Sequence, residues 1–240
     1  MAYDDPRLVD LYDGDNPDGD DHAFYRGLAE SIDAHRILDL GCGTGMLTVT
    51  LATPDRTVVG VDPSEAMLAV ARSRPGAERV HWVRGDSRQI HGGEFDLAVM
   101  TGNVAQHIQD TDWPQTLTDL RAALRAGGTL AFESRNPARR AWESWADQPV
   151  SERDTPHGRL REWMEAAEHP RQRIAMRFHN LFVETGEHVI EDMTLIFRGR
   201  DEIEVDLAAH GLVVDAVFGD WAGTPLHEGD PVMVFRAHAA

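Results

Sequence analysis

Residues 37–45 read ILDLGCGTG, an apolar run that breaks into glycines at 41, 43 and 45. RILDL (36–40) has the length and apolarity of a short buried strand, and MLTVTLAT (46–53) is compatible with a helix. Glycines at the carboxyl end of a strand permit backbone torsions that other residues avoid. They also let a ligand approach the main chain, while the following helix adds oriented N–H groups. RTVVGVD (56–62) is β-branched and ends in an acid, so strand, turn, helix and strand form the first unit.

The same grammar continues outward. PSEAMLAVARSR (63–74) predicts a helix with Pro63 at its first position and Met67, Leu68 and Ala71 on one face. RVHWVRGD (79–86), FDLAVMTG (95–102) and GGTLAFES (127–134) predict strands, with a helix over DWPQTLTDLRAALRA (112–126). Successive buried strands linked by helices predict an α/β fold: a mostly parallel sheet with helices on both faces.

Past residue 136 the period changes to two. Ile174, Met176, Phe178 and Phe182 fall at even positions, and Val189, Met193, Leu195 and Phe197 at odd ones. This predicts half-buried antiparallel strands joined by a hairpin loop at Thr185, Gly186 and Glu187, with GRLREWMEAAE (158–168) as a third strand. The α/β grammar then resumes with a helix over 201–212, closed by Gly211, and two final strands at 212–219 and 231–238. The 240 residues therefore read as one domain: a lid (1–35), a core (36–135), a small antiparallel β insertion (136–200), and a last helix with a β hairpin (201–240).

Composition narrows the partners. With 23 Lys plus Arg against 41 Asp plus Glu, the net charge of −18 repels phosphate backbones and anionic lipid, so neither nucleic acid nor a membrane is expected. Residues 1–13 show no secretory pattern, and no apolar run approaches the ~18 residues of a membrane span, so a cytoplasmic protein, monomer or homodimer, is expected. The single cysteine, Cys42, has no disulfide partner, and the twelve histidines show no metal-ligand spacing, so no metal is expected.

The ligand of the glycine turn is narrowed by what is missing. A dinucleotide fingerprint, GxGxxG, requires glycine at 46, where this chain has Met46. Asp62, closing the second strand, is placed to hold two ribose hydroxyls of any adenosine cofactor.

Five ordered segments carry a resemblance. LDLGCGTG (38–45), GVDPSEAML (60–68), RGDS (84–87), FDLAVMTGNVAQHI (95–108) and LRAGGTLAFES (124–134) resemble the successive motifs of class I S-adenosylmethionine-dependent methyltransferases of the small-molecule type. The resemblance implies a Rossmann-like seven-stranded sheet ending in an antiparallel hairpin. It also implies S-adenosyl-L-methionine as cofactor, with S-adenosyl-L-homocysteine as product. It places Gly41, Gly43 and Gly45 beside the methionyl part, Asp39 at its amino group and Asp62 at the ribose. Asp86 would read the adenine, Pro63, Met67 and Ser87 would line the ring, and Thr101 would accept from the amino group. An early tyrosine, Tyr12 or Tyr25, would cover the cofactor.

A sulfonium already carries a good leaving group, so the protein must hold a nucleophile in line, exclude water and remove a proton where the nucleophile has one. His107 is the first candidate base and Glu133 a second, each at the carboxyl end of a strand. Asn103, Arg135 and Asn136 face the same crevice, and Trp142 and Trp221, with Trp145 and Trp163, are candidates for the acceptor wall. Arg135 and Arg161 keep an acid-bearing acceptor open, and the methylated atom (O, N or C) is not fixed. A nucleotide-linked oxidoreductase and a non-catalytic S-adenosylmethionine-binding protein are the alternatives.

Overall fold

The computed structural model describes residues 4–90 and 93–240. Two helices, α1 (Pro6–Asp15) and α2 (Asp20–Ser31), precede the first strand. β1 (Arg36–Leu40), α3 (Met46–Leu51), β2 (Thr57–Asp62), α4 (Glu65–Ser73), β3 (Val80–Arg84) and β4 (Phe95–Met100) follow in the expected alternation. A one-turn helix α5 (Val104–His107), α6 (Trp113–Ala123) and β5 (Leu124–Arg135) complete the core. A short α7 (Ala141–Ala146) leads into β6 (Ser151–Thr155), β7 (Gly158–His169), β8 (Arg173–Phe182) and β9 (Glu187–Ile196). The chain closes with α8 (Arg200–Ala209), β10 (Leu212–Phe218) and β11 (Val232–Ala239).

Seven strands form one sheet in the order β10-β11-β5-β4-β1-β2-β3. β11 runs antiparallel to both β10 and β5, while the β5-β4-β1-β2-β3 pairings are parallel. Because β1, β4 and β5 are covered on both sides, their side chains divide by alternation. Leu38, Leu40, Ala98, Met100 and Phe132 pack with α6 and α8, and Ile37, Leu97, Val99 and Ala131 pack with α2 and α3. Each fully buried Leu, Ile or Phe of this kind contributes roughly 1.5–3 kcal/mol. The strand order reverses between β1 and β4, so the turns at their carboxyl ends flank a crevice, the place where open α/β sheets bind ligands.

β6-β7-β8-β9 form a separate antiparallel sheet. The predicted alternation is seen: Ile174, Met176, Leu195 and Phe197 are buried with Trp142 in a satellite core. Two details differ from the sequence reading. β6 was not expected, because SERDT has no apolar alternation; as an edge strand it pairs with β7 through its backbone. Pro63 is not the first helical residue, because Ser64 is the N-cap of α4, its hydroxyl accepting from Met67 N–H, which leaves Pro63 one position outside and exposed.

Candidate active site

The turn after β1 is built for approach. Gly41 N–H and Cys42 N–H both donate to the Val61 carbonyl, at 2.7 and 3.1 Å, anchoring the turn to the end of β2. The three glycines all have positive φ, at +79°, +53° and +75° for 41, 43 and 45. A Cβ on Gly41 would lie 2.3 Å from the Val104 side chain, and one on Gly45 would lie 2.6 Å from the Trp82 ring. Gly43 differs: nothing lies within 4 Å of its Cβ position, so the backbone there borders open space.

Two buried acids brace this cradle. Asp62 accepts from Gly43 N–H at 2.9 Å and from Ser64 N–H at 2.8 Å, and burial raises its carboxyl pKa against those two bonds. Asp39 accepts from the Thr48 hydroxyl at 2.6 Å through Oδ2, while Oδ1 is buried without a hydrogen-bond partner among the described residues. Burial pushes the Asp39 carboxyl up to about 7. An orphaned carboxylate oxygen beside an open glycine backbone fits a ligand bearing an ammonium group, since a buried charge needs a partner.

A second space adjoins the crevice. A cavity of about 430 Å³ lies between α1, the ends of β4 and β5, and one face of the small sheet. Tyr12 of α1 and Asn16 at its C-terminal end, Gly102, His107, Arg135 and Trp145 line it, with Met164, Phe178, Asn180 and Met193 contributed by the sheet. Arg135 donates to Gln106 Oε1 at 3.0 Å and lies over the Trp145 ring at 5.0 Å. Burial, reinforced by the nearby Arg135 charge, pushes the His107 imidazole down to about 4, so it is neutral at physiological pH. Burial followed by the Asp62 charge raises the Tyr12 phenol, which therefore stays protonated. Arg153 pairs with Asp15 of α1 and with Glu162 at 2.9 Å, at one end of the chamber.

The remaining sequence candidates fall in different places. Thr101 is half-buried and Asn103 is left-handed, at φ +62°, in the turn after β4. Met67 is buried. Asp86 is an exposed N-cap of the turn Ser87–Gln89, one oxygen accepting from Arg88 N–H and the other from its guanidinium. The Ser87 hydroxyl donates to Asp119 at 2.7 Å, so its side chain is directed to α6.

Several candidates for catalysis or acceptor binding are engaged elsewhere. Glu133 is buried, and each carboxylate oxygen has its own donor, the Tyr25 hydroxyl and Asn103 N–H; it does not line the chamber. Tyr25 is fully buried against Phe24 and Trp221, which fixes both tyrosine and tryptophan away from that space. Asn136 caps the turn Pro137–Arg139 and donates to the carbonyls of Glu228 and Asp230, so its amide is spent on holding the chain before β11. Trp142 packs on Phe197 at 4.6 Å beneath the small sheet; Trp145, one helical turn on, is the tryptophan that lines the chamber. Trp163 stacks on His179 and Arg161 pairs with Glu152 on the opposite sheet face.

Asn180 was missed. It interrupts the apolar alternation Ile174, Met176, Phe178, Phe182, and that interruption was readable as a polar group directed to the inner face.

A parallel sheet with an open glycine turn, a buried acid closing β2 and an orphaned carboxylate on β1 defines an α/β protein with a ligand crevice where its strand order reverses. Comparison with known proteins shows what the chain is similar to. Residues 37–128 match the family described as a methyltransferase domain. Glycine N-methyltransferase of Mus musculus is 30% identical over 149 residues, 54% of this chain and 51% of that protein. The chain thus spans about half the length of that curated relative.

Among solved structures, an S-adenosylmethionine-dependent methyltransferase from Clostridium acetobutylicum superposes with a TM-score of 0.81 at 16% identity, covering 97% of this chain and 98% of that one. An amino pentose methyltransferase from Micromonospora echinaspora, solved with its cofactor, gives 0.68 at 22% identity, with 97% of each chain covered. Residues 37–128 are thus similar to a methyltransferase domain, and the chain shares the fold of solved S-adenosylmethionine-dependent methyltransferases. Among the described residues no helix is long and apolar enough to cross a membrane.

Proposed function

We propose that this chain moves the methyl group of S-adenosyl-L-methionine to O, N or C of a small-molecule acceptor held in the chamber between the lid and the small sheet. The observation that carries the reading is the pairing of an open glycine cradle, at Gly43, with an adjoining cavity of about 430 Å³, a volume suited to a small metabolite. When bound, the cofactor supplies a sulfonium-activated methyl group, and a neutral thioether leaves.

The chain's own residues then have separate tasks. Asp39 Oδ1 receives the amino group, Asp62 the ribose hydroxyls, and Gly41, Gly43 and Gly45 keep the main chain bare. Asp86, Pro63, Met67, the Ser87 backbone and the Thr101 carbonyl border the remainder of the cofactor, and Tyr12 covers it from α1. Tyr12, His107, Arg135 and Trp145 shape the acceptor side, and Met164, Phe178 and Met193 of the sheet keep water from part of it. An imidazole near 4 is a weak base, so His107 orients the nucleophile and receives its proton only as the new bond forms. The protein is read as cytoplasmic, a monomer or homodimer whose four segments form one domain; a single unpaired thiol, Cys42, fits a reducing compartment.

Calorimetry with S-adenosylmethionine and S-adenosylhomocysteine tests the reading. Saturable binding is expected, and Asp62→Ala should weaken it about tenfold or more, the loss of charge-assisted hydrogen bonds of roughly 1.5–3 kcal/mol, while the fold persists. Binding of a nicotinamide dinucleotide in place of either compound refutes it. A metabolite screen read by mass spectrometry for methylated product then identifies the acceptor.

A further inference from the structure

Glu133 stands on β5 opposite Val234 of β11, in a stretch whose neighbours Leu130, Ala131 and Phe132 are fully buried. By alternation its side chain leaves the sheet on the same face as Ala131, where α2 packs. There it meets two donors from two different elements. Tyr25 of α2 donates its hydroxyl to Oε2, and the backbone N–H of Asn103, in the turn after β4, donates to Oε1. An ionised carboxylate is the side chain that only accepts and does so at two oxygens, so it satisfies both donors at once.

The turn that Glu133 holds is an uncommon one. Gly102 and Asn103 have consecutive positive φ values of +72° and +62°, and a left-handed residue that is not glycine persists where its surroundings over-determine it. The next residue, Val104, fills the space beside Gly41, within 2.3 Å of where a Cβ would stand. A continuous line of contacts therefore runs from Tyr25 through Glu133 and Asn103 to Val104 and the first glycine of the turn after β1. Two residues beyond Glu133 on the same strand, Arg135 lines the chamber.

We propose that Glu133 is a positioning residue, which sets the turn Gly102–Val104 against Gly41 and makes the shape of the methyl-donor cradle depend on how α2 is seated. This rests on the reading of the cradle as an S-adenosylmethionine site. Glu133 exchanges no proton with the acceptor; both its oxygens are committed to positioning.

Calorimetric titration of the full chain with S-adenosylhomocysteine at pH 8, above the value of about 7 to which burial raises Glu133, tests the proposal without any acceptor. Glu133→Gln keeps one acceptor oxygen and turns an amide toward the other donor; Tyr25→Phe removes the hydroxyl and leaves the carboxylate. Each should weaken binding about tenfold, the equivalent of 1.4 kcal/mol, and the double variant should lose no more than the larger single loss, because both break the same line of contacts through Glu133. Melting temperatures recorded alongside separate this from general destabilisation. Affinities within about twofold of wild type, whatever the melting temperature, overturn the proposal, as does a multiplicative loss of about a hundredfold in the double variant. A wild-type chain that binds neither S-adenosylmethionine nor S-adenosylhomocysteine overturns the reading of the site, and this inference with it.

Discussion

Replacing Gly43 by alanine separates the stability of the glycine turn from its use. In the folded chain the added methyl meets nothing within 4 Å, so no packing clash arises. The remaining penalty is the left-handed φ of +53°, roughly 1–2 kcal/mol for a residue with a Cβ. For a domain of this size that corresponds to a fall of about 2–8 °C in Tm. The open space is where the cofactor is proposed to sit, so the same methyl overpacks the complex by roughly 1–3 kcal/mol, a loss of about 5- to 150-fold in affinity.

Gly45→Ala provides the contrast. Its Cβ falls 2.6 Å from the Trp82 ring and 3.0 Å from Ala71 Cβ, so the apo fold itself must shift and Tm should drop further than for Gly43→Ala. Thermal unfolding paired with calorimetry on S-adenosylhomocysteine reads both quantities. Wild-type affinity in a folded Gly43→Ala chain would refute the cradle, and equal Tm losses for the two variants would refute the steric argument.

Two further outcomes follow from the burial pattern. Asp39 is raised to about 7 from the ordinary carboxylate range, so the empty folded chain holds an extra proton between about pH 4 and 7, and the stability this group contributes is lost as pH rises through that window. A bound ammonium favours the ionised carboxylate, so S-adenosylhomocysteine affinity should climb by up to about tenfold per pH unit below 7 and level off above it, with Asp39→Asn flattening the slope; equal affinity at pH 6 and pH 8 in the wild type would be inconsistent with it. Trp142→Ala empties a site packed against Phe197, for a loss of roughly 3–5 kcal/mol, while Trp145→Ala should spare more stability and instead alter acceptor affinity; equal melting curves for the two would remove the distinction.

What was legible in the sequence follows from how locally each feature is determined. β1 spans the RILDL strand as read, and the strands beside it fall close to their expected bounds, because buried parallel strands are short apolar runs ended by turns. The glycine turn was legible because its three torsions admit little else. Arrangements set by a distant partner were not. Asn136 sits at the end of β5, as expected, but its amide is claimed by carbonyls near Asp230, and nothing in the neighbouring sequence announces that. Trp142 and Trp145 share a short helix, and only the docking of the small sheet decides which is packed and which faces the chamber. β6 was invisible because an edge strand of polar residues is specified by its partner, β7, rather than by a pattern of its own.

The two N-terminal helices are held by different forces. α2 buries Tyr25, Leu28 and Ala29 in the core, whereas α1 buries only Val9. What retains α1 is polar contact: ion pairs of Arg7 with Glu187, Asp13 with Arg74 and Asp15 with Arg153, and hydrogen bonds of Asp13 with the Thr44 hydroxyl and Asp10 with His157. Such partly exposed pairs contribute about 0–1 kcal/mol each and are screened over a Debye length of about 8 Å in physiological salt. α1, which lines one wall of the chamber, is thus held largely by electrolyte-sensitive contacts. Added salt should raise the frequency with which α1 lifts while leaving α2 and the sheet untouched, so the ionic medium becomes a control on access that acts with no change in the chain.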